Sequence, residues 1–319
     1  MSSPMVSRVH ALAALLSVPG CTLAAEEATD DPHGGAREAA SASTPAQTDR
    51  GSAFAAPTTH AVLSSAPAEA APVVRPKSSC PPEMVEVAAK LPFCVDRWEA
   101  SLERVGPAGT PTRHPFNQRP DEGVRYRALS APGVFPQAYV SRLEASAACE
   151  EAGKRLCSMS EWQRACRRAV SDTYPYGALP QPEACNQGKP HLLPIMFPER
   201  GYRYRYDEHF NDPALSLQQG YLAKTGAYER CTSELEVHDM VGNLHEWVSD
   251  DASSALIAQL EASRRQWQPA APGNGVFMGG FYSTRAEHGP GCTFTTVAHE
   301  PAYHDYSTGF RCCAAVTPR

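Results

Sequence analysis

The chain has no CxxC pair among its eleven cysteines, no cluster of lysines and arginines, no fixed-period repeat and, past its N-terminal segment, no long apolar run. Each absence closes a class. Without CxxC spacing there is no sign of a structural zinc site. A formal net charge of −6 with no basic patch gives no electrostatic footprint for nucleic acid. Without a repeat a solenoid or propeller is not expected, and without a second apolar run nothing past the N-terminus reads as a membrane-crossing helix. Large apolar residues are also scarce from Thr22 to Ser79, where Ala, Pro, Ser and Thr dominate. Such a stretch cannot offset its ordering entropy by burial, so 22–79 reads as a disordered linker.

What is present begins with Arg8 and His10 ahead of ALAALLSV at 11–18. That run is too short to span a bilayer and has the form of a secretory signal peptide. It leads into VPGC, ending at Cys21. A cysteine just after a small-residue cleavage site is how bacterial lipoproteins begin. Residues 1–21 therefore read as a signal peptide with a lipobox, Cys21 as a lipid anchor, and the chain as an exported protein of the bacterial cell envelope. Pro19 is unusual in such a box, and ordinary cleavage near TLAA at 22–25 is the alternative. Ten further cysteines lie between Cys80 and Cys313. An even number in an exported domain predicts a disulfide framework.

Residues 80–319 form the folded part. Brief strands are expected over 80–102, and loop over 103–140, which is rich in Pro, Gly and Arg. Ser141 with Glu144 makes a capping box for a helix that starts at Arg142 and ends near Gly153. Ser158 with Glu161 makes a second, opening a helix with Trp162, Ala165, Cys166 and Ala169 on one face. From 171 to 235 aromatics, prolines and turns prevail, and the alternation at Arg203 to Asp207 suits a strand. A Gly-Asn turn follows in HDMVGNLHEWVSDD at 238–251. A short surface helix is expected over 256–267, and strands over 275–282 and 307–316. Two helices followed by an irregular sheet region is an α+β chain with its function on loops.

Four stretches occur in a telling order: AGKRLCSMSEW at 152–162, MVGNLHEWVSD at 240–250, MGGFY at 278–282 and GFRC at 309–312. Together they resemble the formylglycine-generating enzyme family, the sulfatase-modifying factors. The resemblance implies one large domain of C-type-lectin-related topology, low in regular structure and held by disulfides and calcium. It also implies two bridges, Cys149 to Cys312 and Cys166 to Cys292. Each would close a loop worth about 4 to 5 kcal/mol in the chain-entropy model. Cys80, Cys94, Cys157, Cys185, Cys231 and Cys313 are left with their pairing open.

Catalytic members of that family bind copper(I) between two cysteines, because soft thiolates select that ion. Carried over, the two positions hold Thr284 and Gly289. The serine after the glycine pair is Phe281, and the tryptophan before EW is His245. These departures argue against copper chemistry and make Cys292 a structural cysteine. His288, His299 and His304, with Glu287 or Asp305, are the alternative ligands for copper or iron, but histidines scattered on a loop are ordinarily surface residues, and neither metal is expected.

One family calcium carries over to the side chains of Asp239 and Glu246 with the carbonyls of Gly242 and Leu244, hard oxygen ligands of the kind calcium takes. A second would use Asn186 and the Gln187 carbonyl. The competing reading of Glu246 is a pairing with an arginine. Phe281, Tyr282, His288 and His304 make a candidate ligand loop, and Tyr202, Tyr204, Tyr206 and Tyr303 add to a surface suited to a peptide, protein or envelope polymer. The expectation is a binding or scaffold module, with a metal-dependent oxidoreductase of the same superfamily as the alternative.

Overall fold

The computed structural model describes residues 79–317 apart from 107–109, 168, 264 and 266–268. Cys21, the signal segment and the linker lie outside the described residues. Among them the strands are β1 (Met84–Val87), β2 (Phe93–Asp96), β3 (Ala100–Arg104), β4 (Thr112–Arg113), β5 (Tyr126–Ser130), β6 (Arg155–Leu156), β7 (His245–Asp251), β8 (Gly275–Met278), β9 (Thr295–Thr296), β10 (Thr308–Phe310) and β11 (Cys312–Ala315). The α-helices are α1 (Arg142–Glu151), α2 (Met159–Cys166), α3 (Leu192–Met196) and α4 (Ser254–Ala262).

Three small sheets share the core, in strand orders β1-β2-β11-β6, β10-β7-β8-β9 and β4-β3-β5. All pairings are antiparallel except β10 with β7. This is an α+β architecture with little regular structure. The loop expected over 103–140 in fact contains β4 and β5. Tyr126, Ala128 and Ser130 point inward in alternation, a period-two signal that the surrounding Pro, Gly and Arg obscure. Arg203–Asp207 is no strand. Its alternating side chains find no partner strand, and Tyr206–Phe210 instead turns as a short wide helix.

Both capping boxes form. Ser141 and Ser158 accept from the backbone N–H of Glu144 and Glu161, whose carboxylates accept from the cap N–H in return. The helices then present Ala145, Ala148 and Cys149 (α1) and Trp162, Ala165 and Cys166 (α2) to the core. Five disulfides fasten this frame: Cys80–Cys94, Cys149–Cys312, Cys157–Cys313, Cys166–Cys292 and Cys185–Cys231. Cys149–Cys312 and Cys166–Cys292 are the pairs the family pattern implies. Cys312 and Cys313 are neighbours on β11, so their side chains leave opposite faces and reach different partners. Five bridges indicate an oxidising, exported environment. No helix among the described residues is long and apolar enough to cross a membrane.

Beneath β7 and β11 lies a buried charged network. Arg311, fully buried, spends its five N–H groups on Glu246 Oε1 and Oε2 at 2.6 Å each and on the carbonyls of His238 (2.9 Å), Asp96 (3.1 Å) and Arg97 (3.4 Å). Glu246 Oε2 also accepts from Trp162 Nε1 at 2.7 Å. Glu99, likewise buried, clamps the Gly-Asn turn, accepting from Asn243 Nδ2 at 2.5 Å and from the Leu244 N–H at 3.2 Å. Gly242 in that turn has φ +78°, and a Cβ there would lie 2.1 Å from the Asn186 carbonyl oxygen. Only glycine meets both demands.

Candidate functional site

Adjacent residues of β7 point to opposite faces. Glu246 enters the Arg311 network, and His245 enters a cavity of about 270 Å³ on the other side. The Gly279–Gly280 turn, with φ of +80° and +76°, reverses the chain after β8 and sets Phe281 against His245, ring centroids 5.0 Å apart. Phe277 at 4.8 Å and Phe294 at 5.3 Å complete the packing around this imidazole. His191, His288 and His299 line the same cavity, with Tyr303, Asp305 and Tyr306.

The imidazoles are held neutral. Burial lowers the pKa of all four below the usual histidine value, His245 furthest, since it is fully enclosed and the other three imidazoles oppose a charge on it. Burial and the neighbouring His288 push His299 down to about 4. His245 Nδ1 is buried with no hydrogen-bond partner. Asp305 accepts three hydrogen bonds, from the Ser307 N–H (2.8 Å), Ser307 Oγ (2.7 Å) and Tyr303 Oη (2.6 Å). That is the pattern of an ionised carboxylate, although burial draws its pKa upward.

Thr284 and Gly289 are the positions to which the family resemblance carries the copper ligands. Thr284 lines the cavity, and its Oγ1 donates to the Phe281 carbonyl at 2.7 Å. Gly289 has φ +103°, and a Cβ there would fall 2.1 Å from an Arg265 guanidinium nitrogen. The guanidinium donates to the His288 carbonyl from Nε at 2.9 Å and Nη2 at 2.6 Å. All ten described cysteines are disulfide-bonded.

Of the ligand-loop residues, Phe281 and His288 line the cavity. Tyr282 packs beneath it, buried, with its hydroxyl unpartnered. His304 lies elsewhere, its Nδ1 2.8 Å from Asn211 Oδ1 and its carbonyl accepting from Tyr206 Oη. A metal set of His288, His299 and His304 is therefore not assembled. Among the described residues no group of three or more His, Cys, Asp and Glu side chains is placed to hold a metal ion. His191, Phe277 and Tyr306 carried no signal in the sequence, because they come from separate loops and strands that only the tertiary fold joins.

The first calcium assignment also fails the test of fit. Both oxygens of Glu246 are taken by Arg311 and Trp162, and the guanidinium already neutralises the carboxylate's charge. Asp239 Oδ2 accepts from the Gly226 N–H at 2.6 Å, and burial raises its pKa to about 6. Asn186 differs. Its Nδ2 donates to the Tyr221 carbonyl (2.9 Å) and Asn243 Oδ1 (2.8 Å), while its Oδ1 is buried with no partner.

The profile of the sulfatase-modifying factor enzyme 1-like domain matches residues 83–316. The chain belongs to this family. No curated protein matches it in sequence. Among solved structures it is similar to CarF, at 14% identity and a TM-score of 0.38 over 74% of this chain and 98% of CarF. It is also similar to the U1 variant of the major tropism determinant, at 15% identity and a TM-score of 0.38 over 76% of this chain and 54% of that one. The chain thus spans about half the length of that determinant. Within this sulfatase-modifying-factor-like domain the glycine pair, the Gly-Asn turn and the buried arginine build one scaffold. Function has to be argued from the side chains the scaffold displays.

Proposed function

We propose that this domain is a binding module, exported and anchored through a lipid on Cys21, that does not carry out formylglycine formation. The observation that carries the reading is the state of the two family cysteine positions. One holds a threonine that caps its own loop, and the other a glycine at φ +103°, a backbone conformation that side-chain-bearing residues rarely adopt, with the Arg265 guanidinium packed against it. A copper(I) centre of two thiolates has no donors among the described cysteines, each of which is bonded to another. An aromatic cavity with a few oriented polar groups is the usual form of a small-ligand site.

The test is incubation of the copper(I)-loaded, full-length protein with oxygen and a cysteine-containing peptide, read by mass spectrometry. The peptide cysteine is expected to survive, and conversion to an aldehyde would overturn the reading. Mass analysis of the mature N-terminus tests the anchor: a diacylated Cys21 is expected, and an unmodified start among residues 22–25 would refute it. Calcium is assigned in this reading to the Asn186 side alone, with Asn186 Oδ1 and the Gln187 carbonyl as ligands. A chelator should then lower the melting temperature of the wild type but not of Asn186→Ala, and equal responses would remove the assignment.

A further inference from the structure

We propose that the cavity under the Gly279–Gly280 turn receives a quaternary ammonium group. The inference rests on the binding-module reading and names the ligand class of that site. At about 270 Å³ the cavity falls just short of the roughly 300 to 1,000 Å³ of pockets that enclose whole drug-sized ligands. It suits a headgroup or a single branched unit.

Its wall is electron-rich. Phe277, Phe281, Phe294 and Tyr306 line it together with Tyr303, one face of which stacks on His299 at 3.7 Å, and aromatic rings attract cations through the ring quadrupole. The charge balance agrees. The described lining residues include two carboxylates, Glu287 and Asp305, and neither a lysine nor an arginine. The four lining imidazoles add no opposing charge at neutral pH, since burial disfavours their protonated forms. His245 in particular has a buried nitrogen with no partner among the phenylalanine rings.

Hydrogen-bonding capacity then separates classes of cation. A primary ammonium brings three donors that need acceptors. The lining acceptors are partly engaged: Asp305 accepts from Ser307 and Tyr303 on both oxygens, and the ring nitrogen left open on His245 is a single acceptor hemmed in by phenylalanine rings. A primary ammonium must trade three hydrogen bonds to water for acceptors that are partly engaged already, which leaves part of its desolvation cost unmet. A quaternary one has no N–H to satisfy and keeps the attraction to the rings. An inorganic anion meets two carboxylates and no cation.

The experiment is calorimetric titration of the full-length wild-type protein at pH 7.5 with choline, with its uncharged isostere 3,3-dimethylbutan-1-ol, and with ethanolamine. Choline is expected to bind saturably and about 5- to 30-fold more tightly than the isosteric alcohol, with ethanolamine weaker than choline. The variant Phe281→Leu keeps an apolar wall and removes one ring, so it should weaken choline by a larger factor than it weakens the alcohol. Equal binding of the alcohol and choline, a preference for ethanolamine, or no saturable binding of choline would each overturn the inference. None of these outcomes bears on peptide oxidation, whose appearance would instead bring down the binding-module reading.

Discussion

His245 and Glu246 are consecutive residues on one strand and belong to opposite kinds of environment. Below β7, Glu246 meets a guanidinium and an indole that fill both its oxygens, and every N–H of Arg311 has an acceptor. Above β7, His245 faces a cavity with one ring nitrogen unpaired, surrounded by aromatic rings that give it no hydrogen bond. The lower face is saturated, so changing it affects folding. The upper face has spare capacity, so changing it affects what the domain can hold. On the proposed function, a single strand divides structural duty from recognition.

That division is open to attack, beginning where the effect is largest. Replacing Arg311 by Met leaves Glu246 as a buried charge without its partner, and urea unfolding should show a loss of about 3 to 5 kcal/mol. A smaller loss would mean that water or another cation already serves Glu246. Cys166→Ser, which opens the bridge to Cys292, should cost about 2 to 5 kcal/mol. A fully stable variant that fails to bind ligand would make Cys292 a functional rather than a structural cysteine.

Acid should act through the upper face. His299 has a folded pKa of about 4 against the usual 6.5, so the unfolded chain takes up protons first as pH falls. Stability present at neutral pH is therefore lost between about 6.5 and 4, on the order of 3 kcal/mol from this residue at the acid end. Asp239, raised to about 6 from 3.8, works the other way across much of that window, its contribution being lost as pH rises. The residues separate by difference: His299→Phe should flatten the acid side of a melting-temperature profile, and an unaltered profile would show that the imidazole is not buried. The smallest effect belongs to His245→Phe, which removes an unpaired nitrogen and should change stability by less than about 1.5 kcal/mol. A loss as large as that of Arg311→Met would erase the contrast between the two faces.

The two faces were unequally legible in the sequence. Helix starts carried their own chemistry, because Ser141 with Glu144 and Ser158 with Glu161 are local devices. The bridges of Cys149 and Cys166 followed from the family pattern, whereas those of Cys80, Cys157 and Cys185 needed the register of β2 and β11 and the course of the loops. Glu99 gave no hint of its role. Its partners Asn243 and Leu244 lie far along the chain, and nothing local marks a carboxylate as the clamp of a distant turn. The cavity was half visible. Phe281 and His288 follow the glycine pair closely enough to be suspected. His191 reaches the site from α3's leading edge, and Tyr306 from the turn before β10. His304, which is near in sequence, turns away to Asn211.

The most direct test of the central claim is a thiol count on the folded, exported full-length protein, combined with its copper(I) stoichiometry. The account predicts at most one reactive thiol, assigned to Cys21 and absent once that residue is lipidated, and no tightly held copper. Two reactive thiols from residues 80–313 with one bound copper(I) ion would contradict it, and would return this cavity to oxidation chemistry.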